Sequence, residues 1–193
     1  MKSCAHQKIS FSDLLKANRR FSEHRDIAYF ESFTESQAPL VTLVICSDSR
    51  IQLCLFEEDE TNRFFVVRNI GNQLGNNWGS IDYGILHLKT PILFILGHVR
   101  CGAVKAALSD YSHEGPAIKN ELNGLHLPLS GMGGSGDFES TWLSACERNV
   151  RFQVDEAAKR YADRIGTGEL EVRGAMYDFA NLYEEGYGII HPL

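Results

Sequence analysis

Pro91 to Val104, PILFILGHVRCGAV, is the stretch that decides the fold. Pro91 to Leu96 is mostly aliphatic or aromatic and reads as a short buried strand ended by Gly97. His98-x-x-Cys101 follows, and Gly102 opens what reads as a helix. A histidine and a cysteine three apart at the mouth of a strand can converge on one point, as metal ligands must. Two ligands do not close a tetrahedral shell, so this reading needs a third from elsewhere.

Upstream, the apolar run Leu40 to Cys46 in APLVTLVICSDSR ends in the same way. Cys46 stands where a buried strand gives way to polar residues, and open α/β sheets place their sites at the carboxyl ends of parallel strands. Cys46, His98 and Cys101 would supply sulfur, nitrogen and sulfur with one position left open, the pattern of a catalytic zinc site. Strand-end cysteines are also common as small buried hydrophobes, and on spacing alone that alternative stands beside the metal one.

With 193 residues the chain can bury roughly 70% of its unfolded surface, so one sizeable core is expected. The formal charge of −6, from 25 acidic and 19 basic residues, argues against a non-specific nucleic-acid surface. Five cysteines in a chain of this length form no disulfide framework and fit a reducing compartment. No apolar run approaches the ~20 residues that span a bilayer, and MKSCAHQKISF has no secretory apolar core. The expected address is the cytoplasm, with neither membrane nor nucleic acid as partner.

Taken in order, Ile9 to Phe30 reads as a helix capped by Ser10 or Ser12, one that packs on its own core or across a partner subunit. Gln37-Ala38-Pro39 turns into the strand Leu40 to Cys46. A second strand is expected at Arg63 to Val67, running into a polar turn over Arg68 to Asn72. Trp78 to Leu88 carries Ile81, Ile85 and Leu88 on one helical stripe, and Pro91 stops it. Val104, Ala107 and Leu108 give the helix after Cys101 its buried side. Gly131 to Gly136 reads as a solvent loop without the spacing or lysine of a phosphate loop. A long helix is expected from Glu139 to about Ile165, ended by Gly166 and Gly168. A last strand or pair of strands is expected over Leu170 to Tyr177, with a short helix near Phe179 to Glu184. The expected fold is α/β: a mostly parallel central sheet of four strands with an additional edge strand, flanked by helices. The expected division is an N-terminal helical segment over residues 1–36 and a catalytic domain over 37–193.

CSDSR at Cys46 to Arg50, VVRNIGN at Val66 to Asn72, SIDYGILHLK at Ser80 to Lys89 and GHVRCGAV at Gly97 to Val104 together resemble the β-class carbonic anhydrases. Weaker similarity covers ERNVRFQV at Glu147 to Val154 and the VRGAMYD segment. The resemblance implies that Cys46, His98 and Cys101 hold one Zn2+ per subunit, with Asp48 and Arg50 as the adjacent catalytic pair. It implies a substrate pocket with Gln37, Phe65 and Tyr83, to which Gly102 is added, and a homo-oligomer, dimer or tetramer, with sites at the dimer interface. Asp82 stands where glutamate is usual, Gly84 where alanine is usual, Leu53 where alanine or proline is common, and Val99-Arg100 where a small polar pair is common. Some relatives have a closed state in which the aspartate itself ligates zinc, typically with a tryptophan three residues before the first cysteine. Leu43 occupies that position here, so the resemblance implies the plant-like, open, water-bearing form.

Zinc lowers the pKa of bound water towards 7, less so beside two thiolates than among neutral imidazoles. The expected reaction is reversible hydration of CO2 to bicarbonate and a proton. Asp48 would accept a hydrogen bond from the nucleophile and Arg50 would hold that carboxylate ionised and off the metal. A plain structural salt bridge is the bland reading of this pair, and ordinary packing that of Phe65 and Tyr83. Arg68 and Asn69 read as turn residues, and Gly71 and Gly102 as points of close backbone approach. His87 reads as a surface or interface residue. His6, His24, His113, His126 and His191 show no ligand spacing, and Cys4, Cys54 and Cys146 are expected to pack or sit free. Hydrolysis of carbonyl sulfide or carbon disulfide is the alternative on the same scaffold, and a non-catalytic zinc-stabilised dimer a third.

Overall fold

A computed structural model describes residues 9–56, 59–131 and 137–193. The described residues up to Ala38 form one compact unit and Pro39–Leu193 the other.

The first unit is two short helices where the sequence reads as one. Helix α1 spans Phe11–Glu23, and Ser10 closes a capping box with Asp13: the serine side chain accepts from the Asp13 N–H, and the aspartate accepts from the Ser10 N–H. Helix α2 spans Ile27–Glu31. The chain breaks between them because Asp26 takes an extended conformation and accepts the Tyr29 N–H at 2.8 Å, restarting the helix. Phe21, Tyr29, Phe30 and Phe33 stack edge to face within this unit.

The second unit is built on five strands: β1 Val41–Cys46, β2 Phe64–Asn69, β3 Ile92–His98, β4 Glu171–Asp178 and β5 Ile189–Pro192. Their order is β2-β1-β3-β4-β5; the first four are parallel and β5 is an antiparallel edge. Four parallel strands with an additional edge strand, flanked by helices, is the architecture expected from the sequence. Period-two alternation divides the core. Leu43 and Ile45 pack on one face with Leu96 and Ala175, while Val44 and Cys46 pack on the other with Leu93, Ile95, Trp142 and Val150.

Two strands run further than their apolar residues suggest. Strand β2 continues through Arg68 and Asn69, which pair with Ile45 and Cys46. Strand β3 passes through Gly97 to His98, pairing with Met176 and Tyr177. Glycine does not end β3; it makes room, since a Cβ at Gly97 would lie 2.4 Å from a methyl of Val150. Val150 belongs to the long helix Phe138–Arg160, which therefore lies close on β3.

The remaining helices are α3 Trp78–Asp82, α4 Gly102–Ala107, α5 Pro116–Asn123, α6 His126–Leu129, α7 Phe138–Arg160 and α8 Ala162–Gly166. The expected helix over Trp78 to Leu88 is α3 followed by a π turn at Tyr83–His87. The expected long helix ends at Arg160, because Tyr161 leaves helical geometry and α8 restarts behind it. Helices α5 and α6 were not read from the sequence. Phe179 to Glu184 is not helical: the buried Asp178 carboxylate draws the chain into turns by accepting the N–H groups of Ala180 and Tyr183 at 2.9 Å. The edge strand β5 lies beyond these turns, C-terminal to the segment where strand was expected. Most of Gly131 to Gly136, with Cys4 and His6, lies outside the described residues. Among the described residues no helix is long and apolar enough to cross a membrane.

Candidate metal centre

The site lies at the carboxyl ends of β1 and β3. Cys46 is the last residue of β1, His98 the last of β3, and Cys101 caps α4 one short turn later. All three are buried, and their ligand atoms lie within 4.8 Å of one another. Parallel pairing of β1 with β3 brings two strand ends side by side, so residues far apart in sequence face one point.

Backbone and side-chain bonds fix each donor. His98 Nδ1 lies 2.9 Å from the Val99 carbonyl, which sets the tautomer that leaves Nε2 as the free electron pair. That buried Nε2 has no hydrogen-bond partner among the described residues. The indole N–H of Trp142, on α7, donates to the Cys101 carbonyl at 2.8 Å. Arg68 donates to the carbonyls of Cys46 and Ile51, and Asn69 clasps the backbone of Gln73 through both its amide groups.

The two thiols are electrostatically unequal. The Cys101 S–H donates towards Cys46, and the neighbouring His98 ring and the Gly71 N–H add to it against the cost of burial, so the Cys46 thiol is held well below its ordinary range. The Cys101 thiol is pushed well above it by the same partnership and by burial. A soft divalent cation would take two sulfurs and one imidazole here, with a buried nitrogen already lacking any other partner. That donor set suits zinc.

Asp48 stands beside this cluster, with Oδ2 3.9 Å from His98 Nε2. Arg50 grips it by two parallel bonds, Nε to Oδ1 at 2.9 Å and Nη2 to Oδ2 at 2.6 Å, and its own N–H adds a third at 3.0 Å. These bonds hold the carboxyl down at about 2, so it is ionised at every ordinary pH. Arg50 Nη2 also donates to the Arg100 carbonyl at 3.1 Å. Arg100 adopts φ +55° and its side chain pairs with Glu139 on α7.

The rings of Phe65 and Tyr83 lie 5.8 Å apart, Phe65 half-buried on β2 and Tyr83 exposed on the π turn. Tyr83 also meets the ring of His87 at 4.5 Å, one helical turn on, a pairing whose spacing is visible in YGILH. Gln37 is exposed in the N-terminal unit. Gly71 takes φ +78°, but a Cβ at Gly102 would meet nothing within 4 Å, so the close approach expected at Gly102 is absent among the described residues. Asp82 pairs with Arg160 and accepts from the Tyr161 hydroxyl at 2.7 Å. Cys146 is buried, its thiol pushed up to about 12 by desolvation, and Cys54 is exposed. Trp142 and Phe179, which touch the site's backbone and its arginine, were not found from the sequence. Neither carries a local pattern that marks it.

Fold and donor set together give a Cys-His-Cys cluster able to hold a metal at the carboxyl edge of a mostly parallel sheet. A family profile described as carbonic anhydrase matches residues 41–183, and the chain belongs to that family, within its β class. The carbonic anhydrase of Synechococcus elongatus is 37% identical over 174 residues, 82% of this chain and 62% of that protein. That of Mycolicibacterium smegmatis is 40% identical over 79 residues, 40% of this chain and 38% of that protein. The chain thus spans less than two thirds of the length of either. Among solved structures, the β-carbonic anhydrase of Coccomyxa in complex with acetazolamide superposes with a TM-score of 0.81 at 26% identity, covering 96% of this chain and 87% of that one. A β-carbonic anhydrase of Sordaria macrospora shares the fold at a TM-score of 0.82 and 24% identity, covering 95% and 96%.

Proposed function

We propose that this protein catalyses the reversible hydration of carbon dioxide to bicarbonate and a proton, using one zinc ion held by Cys46, His98 and Cys101. The observation that carries this reading is the convergence of two sulfurs and one unpartnered imidazole nitrogen within 4.8 Å, with an ionised carboxylate at their edge. When bound there, zinc would supply the Lewis acidity that makes water acidic enough to act as a nucleophile near neutral pH.

The chain's own residues do the rest. Asp48 accepts a hydrogen bond from the attacking water oxygen through Oδ2 and aims its lone pair at the substrate carbon. Arg50 keeps that carboxylate charged and engages both its oxygens, which supports the open form of the site. Phe65 and Tyr83 offer an apolar wall suited to a small linear molecule without charge. Gly102 leaves the pocket floor free of a side chain. One C–O bond forms, and the proton released passes to ordered water and buffer.

The same reading makes the protein a homo-oligomer, dimer or tetramer. Helix α1 supports this, since Phe11 is 74% exposed and Leu14, Leu15 and Phe21 on the same helix are exposed as well. Such an apolar face is more stable against a partner subunit than in water. We place the protein in the cytoplasm, supported by the four described cysteines, all free thiols.

Zinc content and CO2 hydration of three proteins test the proposal. Wild type should carry one zinc per chain and be active, Cys101→Ala should lose both metal and activity, and Asp48→Ala should keep zinc but lose most of its rate. Full activity in both variants defeats the assignment.

A further inference from the structure

Arg50 is gripped in its own plane by Asp48 and by the Arg100 carbonyl. Bonds of that kind fix a guanidinium within the plane but resist rocking out of it only weakly, and this side chain is nearly half exposed. Something has to hold its face. Beyond β4 the Asp178 carboxylate accepts two backbone N–H groups, and the turn so formed carries Phe179 back over the carboxyl edge of the sheet. The Phe179 ring centroid lies 4.5 Å from Arg50 Cζ, within cation–π range. The same ring lies 6.0 Å from the ring of His98 and 6.0 Å from that of Tyr177.

We infer that Phe179 is a positioning residue of this site: its ring face holds the Arg50 guanidinium in the plane from which it grips Asp48, and Asp178 locks the ring in place. Phe179 touches no reacting atom and acts through Arg50 alone. As a role in catalysis the inference rests on the CO2-hydration reading; as a contact between two side chains it does not.

The test uses the zinc-loaded full chain and four variants. Phe179→Leu and Phe179→Met each fill the space without a ring, so a folding defect in one leaves the other decisive. Phe179→Tyr keeps the face, and Arg50→Met removes what the face holds. Exchange of the Arg50 Nε proton with water, followed by 15N NMR, should quicken about tenfold in the Leu and Met variants and stay near wild type in the Tyr variant. CO2 hydration should show kcat lowered roughly three- to tenfold with KM within about twofold of wild type, zinc content full, and recovery in Phe179→Tyr. In an Arg50→Met background, replacing Phe179 should cost no further rate. Unchanged Nε exchange in the ring-less variants overturns the inference. An equal loss of rate without Arg50 also overturns it, because Phe179 would then act through His98. If the wild-type holoprotein does not hydrate CO2, the reading of the reaction fails while the exchange measurement still decides the Phe179–Arg50 contact.

Discussion

The indole N–H of Trp142 lies 2.8 Å from the carbonyl of Cys101, so the long helix α7 holds one corner of the metal centre from behind. Both residues are buried, and the carbonyl has no water to turn to if the donor is lost. Trp142→Phe should therefore lower stability by about 1–3 kcal/mol, the cost of an unsatisfied buried acceptor. Zinc affinity should fall about 10- to 100-fold, because a supporting bond to a ligand residue is removed. Chemical denaturation and zinc competition against a chelator measure the two effects. A variant as stable and as tightly metallated as wild type counts against this support.

The Asp48–Arg50 pair fixes an acid dependence. The folded carboxyl titrates at about 2, chiefly through the Arg50 hydrogen bonds, against about 3.9 in an unfolded chain. The folded value is depressed, so the stabilisation is fully present above about pH 4 and is lost as pH falls through about 2. Allowing for solvent around a half-exposed arginine, the pair is worth about 1–2 kcal/mol. Asp48→Asn should cost that much at pH 7, with the gap to wild type closing below about pH 2. Stability curves of the two proteins against pH read it directly, and a gap that closes near pH 5 contradicts the assignment.

How much of this was legible from residue order depends on whether the signal was local. The sheet was, because β1 and β3 are continuous apolar runs buried on both faces, and so was the Cys-His-Cys cluster, because Cys46 and His98 end strands and Cys101 follows His98 by three residues. The break at Asp26 was missed because Ala28 and Tyr29 continue the helical stripe of Phe21 across it, while one carboxylate restarts the helix. The turn after β4 was missed for a related reason: Asp178, buried at a strand end, outbids the helical pattern of Phe179 to Glu184 for the backbone. Trp142 and Phe179 could not be found at all, since their partners Cys101 and Arg50 lie 41 and over a hundred positions away in the chain. Their roles arise only when α7 and the turn after β4 close over the sheet.

The unequal thiols predict how many protons zinc displaces. Cys46 is already shifted towards thiolate by its bond from Cys101, whereas Cys101 is held as thiol. Zinc binding should therefore displace one thiol proton from the pair, not two, because the metal-free protein already carries one thiolate near neutral pH. The ultraviolet thiolate absorbance of the metal-free protein, read against that of Cys46→Ser, counts it without the proton that a metal-bound water would add. No thiolate absorbance before zinc is added would show that both sulfurs begin as thiols.

Gly84 shows how neighbours can force a glycine. A Cβ there would lie 2.2 Å from Thr42 Oγ1 and 3.0 Å from the Phe65 ring. Thr42 is fully buried on β1 and cannot swing aside without breaking its 2.7 Å hydrogen bond to Thr90, whose hydroxyl reaches back to the Gly84 carbonyl. The site has room for glycine only while residue 42 carries a branched hydroxyl. Gly84→Ala should thus destabilise the protein by about 1–3 kcal/mol through overpacking. Thr42→Ala removes the nearest of these atoms and leaves the Phe65 ring, so the added methyl should cost less in the Thr42→Ala background than in wild type. A double-mutant cycle on urea midpoints measures the coupling, and strictly additive costs would show that Thr42 is not what excludes the methyl.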